Sequence, residues 1–277
     1  MIGGLRGFMF DVDGTLVLGD RSGHGYEVLP GAVDVLERLN RDGIPFVLLT
    51  NGSATPPAVQ AAKLRDVGLP VADDRMLTPS SVVADYFRRR GIRRVLVLGT
   101  RGVGHALTEL GIEVRHPGDF GAGEAEAVYV GWHPDCTMPD IEAAANAIWQ
   151  GAGFYVASSV PFFATRGGRS IGYSHAIVAA IRSLTKTPAK ILGKPSREAF
   201  RFVARRLGVP ARAIGVVGDD PALEIGMARR AGATGFGVAT GLTDRAAWLA
   251  QPPARQAHHV LDAVGDLLAL ATAEEAA

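Results

Sequence analysis

Residues 8–16 read Phe-Met-Phe-Asp-Val-Asp-Gly-Thr-Leu, an apolar run that ends in two alternating carboxylates and a Gly-Thr pair. A short run of this kind favours a buried strand, which we predict over residues 5–12, and Gly14 favours a turn directly after it. Asp11 and Asp13 are therefore predicted at the carboxyl edge of a parallel sheet, where open α/β folds bind their ligands. Two carboxylates this close repel each other unless a cation or a proton lies between them.

The rest of the chain alternates between strand and helix patterns, with turn residues between them. We predict further strands over residues 44–49, 95–99, 127–131, 153–157, 213–217 and 234–238. The spacing of apolar residues predicts helices over residues 30–39, 56–67, 80–90, 105–110, 140–150, 175–184 and 197–207, and one through Ala228. Residues 158–174 are predicted to form a loop that contains glycine and arginine. Strand–helix alternation of this kind favours an α/β fold with parallel sheets.

The composition excludes several classes of protein. The 277 residues carry 29 basic and 28 acidic side chains, a net charge of +1, so we expect no bulk attraction to nucleic acid. No apolar run is long enough to span a bilayer, and the opening residues lack the long apolar region of a signal peptide. The single cysteine, Cys136, excludes an internal disulfide. We therefore expect a soluble cytoplasmic protein without nucleic-acid or membrane partners.

Residues 95–104 form a predicted strand followed by glycines, which is similar to a dinucleotide-binding turn. Their order, Gly-x-x-Gly-x-Gly, differs from the Gly-x-Gly-x-x-Gly fingerprint, and no clear strand-end acid follows about twenty residues later. We therefore predict a tight turn here and no nucleotide cofactor.

Carboxylates at the predicted strand ends suit phosphoryl transfer. Asp11 can attack phosphorus as a nucleophile, and Asp13 can protonate the leaving oxygen and later deprotonate water. Asp219 follows the strand predicted over residues 213–217, and with Asp11 it offers the oxygen ligands that Mg²⁺ prefers. The alternative is structural, because Asp-Gly pairs are frequent in turns and an Asp at a strand end often only caps the next helix.

Polar residues at two other strand ends can bind phosphate oxygens. Thr50, Asn51 and the backbone N–H of Gly52 follow the strand predicted over residues 44–49. Lys194 can place a compact positive charge between the nucleophile and the phosphate. Taken singly, Thr-Asn-Gly is most often a turn, and a lysine before proline is most often a surface residue. Together and in this order, these groups indicate a phosphoryl-transfer site.

These strand-end groups resemble, in turn, the four motifs of the haloacid dehalogenase superfamily, a large family of mostly phosphatases. The resemblance implies a Rossmann-like parallel-sheet core, Mg²⁺ as the cofactor and an aspartyl-phosphate as the intermediate. Carried over residue by residue, it implies Asp11 as the nucleophile and Asp13 as the acid/base. It also implies Thr50 and Lys194 as phosphate ligands, and Asp219, Asp11 and the backbone carbonyl of Asp13 as metal ligands.

The long segment between Thr50 and Lys194 narrows the resemblance. It is similar to the NagD-like subfamily of para-nitrophenyl phosphatase, phosphoglycolate phosphatase and pyridoxal-phosphate phosphatase, which carries an inserted smaller α/β cap domain there. The implied domains are a first part of the core over residues 1–77, the cap over 78–189 and a second part of the core over 190–277. The implied partner is a small phosphorylated metabolite, and any homo-oligomer is expected to form through the cap.

The chain departs from that subfamily at several positions. Residues 131–133 read Gly-Trp-His where the subfamily often has Gly-Leu-Asp, and residues 157–161 read Ala-Ser-Ser-Val-Pro where it often has Ala-Thr-Asn-x-Asp. Glu224 stands where an Asp is usual, five residues after Asp219. The first two departures affect which substrates the resemblance can imply for this chain. The third affects the geometry of the loop after Asp219, the implied metal ligand.

Basic residues cluster in the predicted cap loop and at the start of the helix after it. Between residues 158 and 175 there is no Asp or Glu, whereas Arg166, Arg169 and His175 are present. We interpret these three as candidate substrate-specificity residues that bind an anionic group of the substrate beyond its phosphate. The alternative is that both arginines are solvated on the cap surface.

The sequence as a whole predicts a Mg²⁺-dependent phosphatase that hydrolyses a small-molecule phosphomonoester. The enzyme alternative is a sugar-phosphate phosphomutase that uses the same aspartyl-phosphate. The non-enzyme alternative is a phosphometabolite-binding protein that has kept the core without catalysis, and the presence of all the motif residues argues against it.

Overall fold

A computed structural model describes residues 4–19, 25–165 and 168–275. The chain divides into two compact units. The first unit consists of Met1–Thr50, Ala58–Leu77 and Ala199–Ala277, and the second consists of Asn51–Pro57 and Thr78–Glu198. The predicted site residue Arg166 lies outside the described residues.

Strands and helices alternate along most of the chain, and both are numbered here in chain order. The strands are β1 (Gly7–Phe10), β2 (Val17–Gly19), β3 (Tyr26–Val28), β4 (Phe46–Leu49), β5 (Met76–Leu77), β6 (Arg94–Leu98), β7 (Glu113–Arg115), β8 (Ala127–Val130), β9 (Gly153–Val156), β10 (Phe162–Thr165), β11 (Gly168–Ile171), β12 (Lys190–Ile191), β13 (Ile214–Gly218), β14 (Thr234–Val238) and β15 (His259–Leu261). The helices are α1 (Ala32–Arg41), α2 (Pro57–Asp66), α3 (Pro79–Arg90), α4 (Arg101–Glu109), α5 (Met138–Trp149), α6 (Tyr173–Thr185), α7 (Arg197–Leu207), α8 (Gly226–Ala231), α9 (Arg245–Leu249) and α10 (Asp266–Glu275).

The first unit is built on a parallel sheet with strand order β15-β14-β13-β1-β4-β5. The predicted strand over residues 5–12 is shorter in the structure, and β1 ends at Phe10, directly before the two aspartates. All four residues of β1 are buried, as expected for a strand covered on both faces. The rings of Phe8 and Phe10 lie 5.9 Å apart, and the Phe10 ring meets the edge of Phe46 at 6.2 Å. An aromatic core therefore supports the strand that directly precedes Asp11 and Asp13.

The second unit has its own parallel sheet, with strand order β12-β9-β8-β6-β7. Successive side chains of a strand point to opposite faces, and β6 shows this directly. Val95 and Val97 belong to one apolar cluster, whereas Leu96 and Leu98 belong to another. Each face of this sheet thus has its own buried core, and the predicted α/β class with parallel sheets is confirmed.

Two local predictions differ from the structure. The predicted loop over residues 158–174 contains the antiparallel strands β10 and β11, because residues 162–165 read Phe-Phe-Ala-Thr and favour an extended chain. The predicted tight turn after β6 is instead the start of α4, and Gly102 and Gly104 lie buried inside that helix. Among the described residues, no helix combines the length and the apolar character needed to cross a membrane.

Candidate active site

Buried carboxylates converge in the first unit. Asp11, Asp219 and Glu224 each offer one carboxylate oxygen, and these oxygens lie within 4.8 Å of one another. Asp11 is 7% exposed, Asp219 4% and Glu224 1%. We call these three residues the carboxylate cluster. Buried like charges at such distances repel unless a cation or protons compensate them, so this all-oxygen set fits a hard divalent ion such as Mg²⁺.

The strand register explains why Asp11 and Asp219 meet. The parallel strands β1 and β13 pair with Phe10 opposite Val217. The Asp11 N–H then extends the ladder by donating to the Val217 carbonyl at 2.9 Å. Since β13 ends at Gly218, both aspartates leave their strands at the same edge of the sheet.

Backbone N–H groups orient the other members of the cluster. The Leu242 N–H donates to Asp219 Oδ2 at 2.8 Å, and the Asp220 N–H donates to Glu224 Oε2 at 3.2 Å. Glu224 lies in a π-helical turn, Pro221–Ile225, which connects β13 to α8. Turns of this kind are rare and are frequent at functional sites. Glu224, which the sequence marks only as a departure from the subfamily, is thereby placed in the carboxylate cluster.

Three glycines, Gly14, Gly218 and Gly241, leave the space that these carboxylates occupy, and two of them show how tight it is. A Cβ on Gly218 would lie 2.3 Å from Cγ of Glu224. A Cβ on Gly14 would lie 2.3 Å from Oδ2 of Asp219, and Gly14 also has a φ of +81°, which other residues rarely adopt. Larger residues at either position would displace a carboxylate from the cluster.

Gly218→Ala is therefore expected to weaken metal binding and stability together. Overpacking of this kind costs about 1–3 kcal/mol of the free energy of unfolding, and a displaced Glu224 should raise the Mg²⁺ concentration needed for half-activity. Denaturant unfolding and a Mg²⁺ titration of activity measure the two effects. Gly226→Ala is the control, because the atoms nearest its added Cβ are the flexible guanidinium of Arg230 at 3.2 Å and the Pro221 carbonyl oxygen at 3.3 Å, and neither belongs to the carboxylate cluster. Wild-type values for Gly218→Ala would contradict the assigned packing.

Asp13 lies beside the cluster in sequence but has different surroundings. It is exposed, and its Oδ1 lies 3.4 Å from the position of a Cβ on Gly19 in the β2–β3 hairpin. Burial raises the pKa of the Tyr26 hydroxyl, and the nearby charge of Asp13 raises that pKa further. The hairpin therefore shapes the environment of the predicted acid/base residue, and no signal in the sequence identified Tyr26 as its neighbour.

Asp220 has a local structural role. Its Oδ1 accepts hydrogen bonds from the N–H groups of Ala222 at 2.6 Å and Leu223 at 3.1 Å. This is the geometry of a helix N-cap, which satisfies donors that the first turn leaves open. Asp220 therefore caps the turn that carries Glu224, while Asp219 belongs to the cluster.

Thr50 follows the strand next to β1. The strand β4 pairs in parallel with β1, with Leu48 opposite Phe10, and the Thr50 N–H donates to the Leu77 carbonyl of β5 at 3.3 Å. Thr50 is buried, at 4% exposure. Thr50 thus lies at the carboxyl edge of the sheet, directly after β4, and Asp11 lies directly after the adjacent strand β1.

In the second unit, Asn51 and Lys194 are held together. Oδ1 of Asn51 accepts a hydrogen bond from the Lys194 N–H at 3.0 Å, and Nδ2 of Asn51 donates to the Lys194 carbonyl at 3.3 Å. Lys194 is 2% exposed, which is rare for a lysine. Both ends of the Asn51 amide thus fix the Lys194 backbone. Gly52 is exposed.

The predicted cap residues fall at different places. Arg169 lies in β11, within the hairpin that replaces the predicted loop. His175 is exposed in the first turn of α6, and its Nδ1 lies 2.9 Å from the Ser159 carbonyl. Because a carbonyl only accepts, Nδ1 carries the proton of this hydrogen bond, which orients the ring.

Two family models match the chain. The model described as haloacid dehalogenase-like hydrolase matches residues 8–113, and the model described as HAD-hydrolase-like matches residues 191–267. Both matches include residues of the carboxylate cluster.

Relatives and solved structures extend the similarity over nearly the whole chain. A Bacillus subtilis protein named 5'-nucleotidase YutF is 26% identical over 241 residues, which cover 87% of this chain and 89% of the relative. The structure of 4-nitrophenylphosphatase from Thermotoga maritima has a TM-score of 0.84 at 24% identity, covering 95% of this chain and 96% of that one. Glycerol phosphate phosphatase from Mycobacterium tuberculosis, solved in complex with magnesium, has a TM-score of 0.80 at 25% identity, covering 92% of this chain and 74% of that one.

Proposed function

Because this chain belongs to the haloacid dehalogenase-like hydrolases and is a phosphoric monoester hydrolase, we propose that it hydrolyses a small-molecule phosphomonoester through an aspartyl-phosphate on Asp11. The observation that carries this proposal is the carboxylate cluster, which brings the predicted nucleophile next to two further buried carboxylates. We also assign the first unit to the catalytic core and most of the second unit to the inserted cap.

The metal is proposed to be Mg²⁺, held by the carboxylate cluster and by the backbone carbonyl of Asp13. Asp219 and Glu224 are oriented by backbone N–H groups, so their oxygens are positioned before an ion arrives. A bound Mg²⁺ supplies positive charge that offsets both the buried carboxylates and the phosphate oxygens. The magnesium complex of the mycobacterial glycerol phosphate phosphatase supports this choice of ion.

The protein's own groups are assigned the remaining steps. A carboxylate oxygen of Asp11 attacks phosphorus, and the bond to the leaving oxygen breaks as Asp13 donates a proton to it. Asp13 then takes a proton from the water that attacks the aspartyl-phosphate and releases inorganic phosphate. We assign Thr50, Gly52 and Lys194 to the phosphate oxygens, and Asn51 to positioning the Lys194 backbone.

Phosphate release with and without Mg²⁺ tests the proposal. The purified protein is assayed on para-nitrophenyl phosphate and on glycerol phosphates, nucleoside 5'-monophosphates and sugar phosphates, which are the classes named by its relatives. We expect Mg²⁺-dependent release of inorganic phosphate from at least one of them. Interconversion of sugar phosphates with only slow hydrolysis would instead identify a phosphomutase. Binding without any turnover would identify a binding protein.

His175 is proposed to contact a second anionic group of the substrate, as are Arg166 and Arg169. His175→Ala should raise the KM of a substrate with such a group by about ten- to a hundredfold when the ring is protonated, because Nε2 of the imidazolium can then donate to the anion and a charge-assisted contact contributes about 1.5–3 kcal/mol. The kcat should change little if the contact is equal in the ground and transition states. Para-nitrophenyl phosphate, which has no second anion, is the control substrate. Equal losses on both substrates would show that the ring supports the fold, through its hydrogen bond to Ser159, and not recognition.

A further inference from the structure

A second cluster of side chains that can bind a metal lies in the second unit, and one of its members, His133, belongs to the Gly-Trp-His departure from the subfamily. His133, Cys136 and Asp140 each offer one ligand atom, and these atoms lie within 4.8 Å of one another. They occupy the loop after β8 and the first turn of α5. All three side chains are partly buried.

The start of α5 fixes the carboxylate of this cluster. The Thr137 N–H donates to Asp140 Oδ2 at 2.7 Å, and the Thr137 hydroxyl lies 2.9 Å from the same oxygen. The Asp140 N–H lies 3.4 Å from the Thr137 hydroxyl, which completes a capping box. A carboxylate has about four lone-pair positions, so Asp140 keeps acceptor capacity beyond its capping role.

The two other ligands approach this fixed carboxylate from the loop. Nε2 of His133 lies 3.5 Å from Asp140 Oδ2. Two ligands about 2.1 Å from a tetrahedral ion lie about 3.4 Å apart, so Nε2 is near enough to this carboxylate for both to hold one ion, with Oδ1 as the oxygen that Thr137 does not contact. Cys136 packs against the apolar cluster on one face of the sheet, which limits the movement of its sulfur.

The donor atoms select the kind of ion. One nitrogen, one sulfur and one oxygen form a set that Zn²⁺ accepts, with a water as the fourth ligand. Mg²⁺ and Ca²⁺ prefer oxygen ligands alone, so the carboxylate cluster and the His-Cys-Asp cluster suit different ions. Because carboxylates also accept Zn²⁺ and Co²⁺, excess Mg²⁺ is kept present to occupy the carboxylate cluster while the His-Cys-Asp cluster is measured.

We propose that His133, Cys136 and Asp140 form a site for Zn²⁺ or a similar thiolate-binding divalent ion. On binding, an S–metal bond replaces the S–H bond, the proton passes to solvent, and no atom changes oxidation state. The ion joins the loop of residues 131–137 to the first turn of α5. Trp132, next to His133, has its ring 4.6 Å from that of Tyr173 in α6, so an ion here also restrains an aromatic contact.

The competing explanation is an ordinary ion pair beside a core cysteine. The same unit contains such a pair: Nε2 of His105 lies 3.4 Å from Glu109 Oε1. Among the described residues, this pair belongs to no group of three possible metal ligands. His105 therefore serves as a matched control for a histidine that faces one carboxylate.

Co²⁺ substitution gives a direct test, because Cys136 is the chain's single cysteine. The full-length protein, stripped of metal and kept reduced in excess Mg²⁺, is titrated with Co²⁺. We expect a thiolate-to-Co²⁺ charge-transfer band and the visible bands of a four-coordinate ion, saturating at one Co²⁺ per chain. Zn²⁺ should abolish both signals, and added Mg²⁺ should not. A Co²⁺ titration that gives no thiolate charge-transfer band would overturn the proposal. So would a band that disappears when Mg²⁺ is added.

Variants assign the ligands. Cys136→Ser and His133→Gln should each weaken Zn²⁺ binding by more than the roughly 10–100-fold cost of losing a residue that only hydrogen-bonds to a metal ligand. His105→Gln should leave the affinity unchanged. Circular dichroism of the metal-free variants checks folding, and Zn²⁺ should raise the Tm of the wild type and of His105→Gln only. Equal Zn²⁺ affinity in wild type and His133→Gln would also overturn the proposal.

Discussion

Asp11→Asn is expected to remove nearly all turnover while the protein stays folded. The neutral amide oxygen is too weak a nucleophile to attack phosphorus, so kcat should fall by at least about 10³-fold. The substitution preserves the size of a side chain that is 7% exposed, so the packing at the end of β1 should survive. Phosphate release measures the loss, and thermal unfolding confirms that the variant is folded.

Asp11 also belongs to the carboxylate cluster, so the loss of turnover needs a second measurement. Rapid acid quenching of the wild type with substrate should trap a protein one phosphoryl group heavier, and Asp11→Asn should show no such species. Direct titration with Mg²⁺ shows whether the variant still binds metal. A variant that turns over within about tenfold of the wild type, or that still becomes phosphorylated, would exclude Asp11 as the nucleophile.

Asp219→Asn should raise the Mg²⁺ concentration needed for half-activity far more than Asp220→Ala. Removing the charge of one metal-binding carboxylate should lower the metal affinity at least as much as losing a residue that only hydrogen-bonds to a metal ligand, which costs roughly 10–100-fold. Asn keeps an oxygen that can accept the Leu242 N–H, so the local backbone should stay in place. Calorimetric titration with Mg²⁺ measures the affinity independently of catalysis.

Asp220→Ala is the matched control from the adjacent position. It removes the acceptor for the Ala222 and Leu223 N–H groups, so it should cost about 0.5–2 kcal/mol of the free energy of unfolding. Its Mg²⁺ affinity should stay near the wild-type value. If Asp220→Ala lost Mg²⁺ and Asp219→Asn did not, the metal ligand would have been assigned to the wrong aspartate.

Several elements could be predicted from the local sequence alone. The apolar run before Asp11 and the glycine after Asp13 marked the end of a buried strand, and β1 ends one residue before Asp11. The predicted strand over residues 234–238 and helix over residues 197–207 have the bounds of β14 and α7. The spacing of apolar residues and the position of glycine or proline at the ends of elements are properties of short segments. They therefore locate strands and helices well.

The loop around Arg169 shows where local signals were insufficient. The arginines and glycines there favoured an irregular loop, but β10 and β11 pair across this segment. Strand pairing depends on the partner strand as much as on the strand's own residues. The role of Arg169 and His175 in substrate binding stays a prediction, as does association of copies through the cap.

The sequence by itself determined the type of fold and the order of the motif residues Asp11, Thr50, Lys194 and Asp219, since strand ends and residue types are properties of short segments. Tertiary structure alone decided that Glu224 shares a cluster with Asp11 and Asp219, because the parallel pairing of β1 with β13 joins segments far apart in the chain. It also decided that the Asn51 amide holds the Lys194 backbone. The proximity of His133, Cys136 and Asp140 likewise depends on how a loop returns to its helix, which residue spacing does not encode.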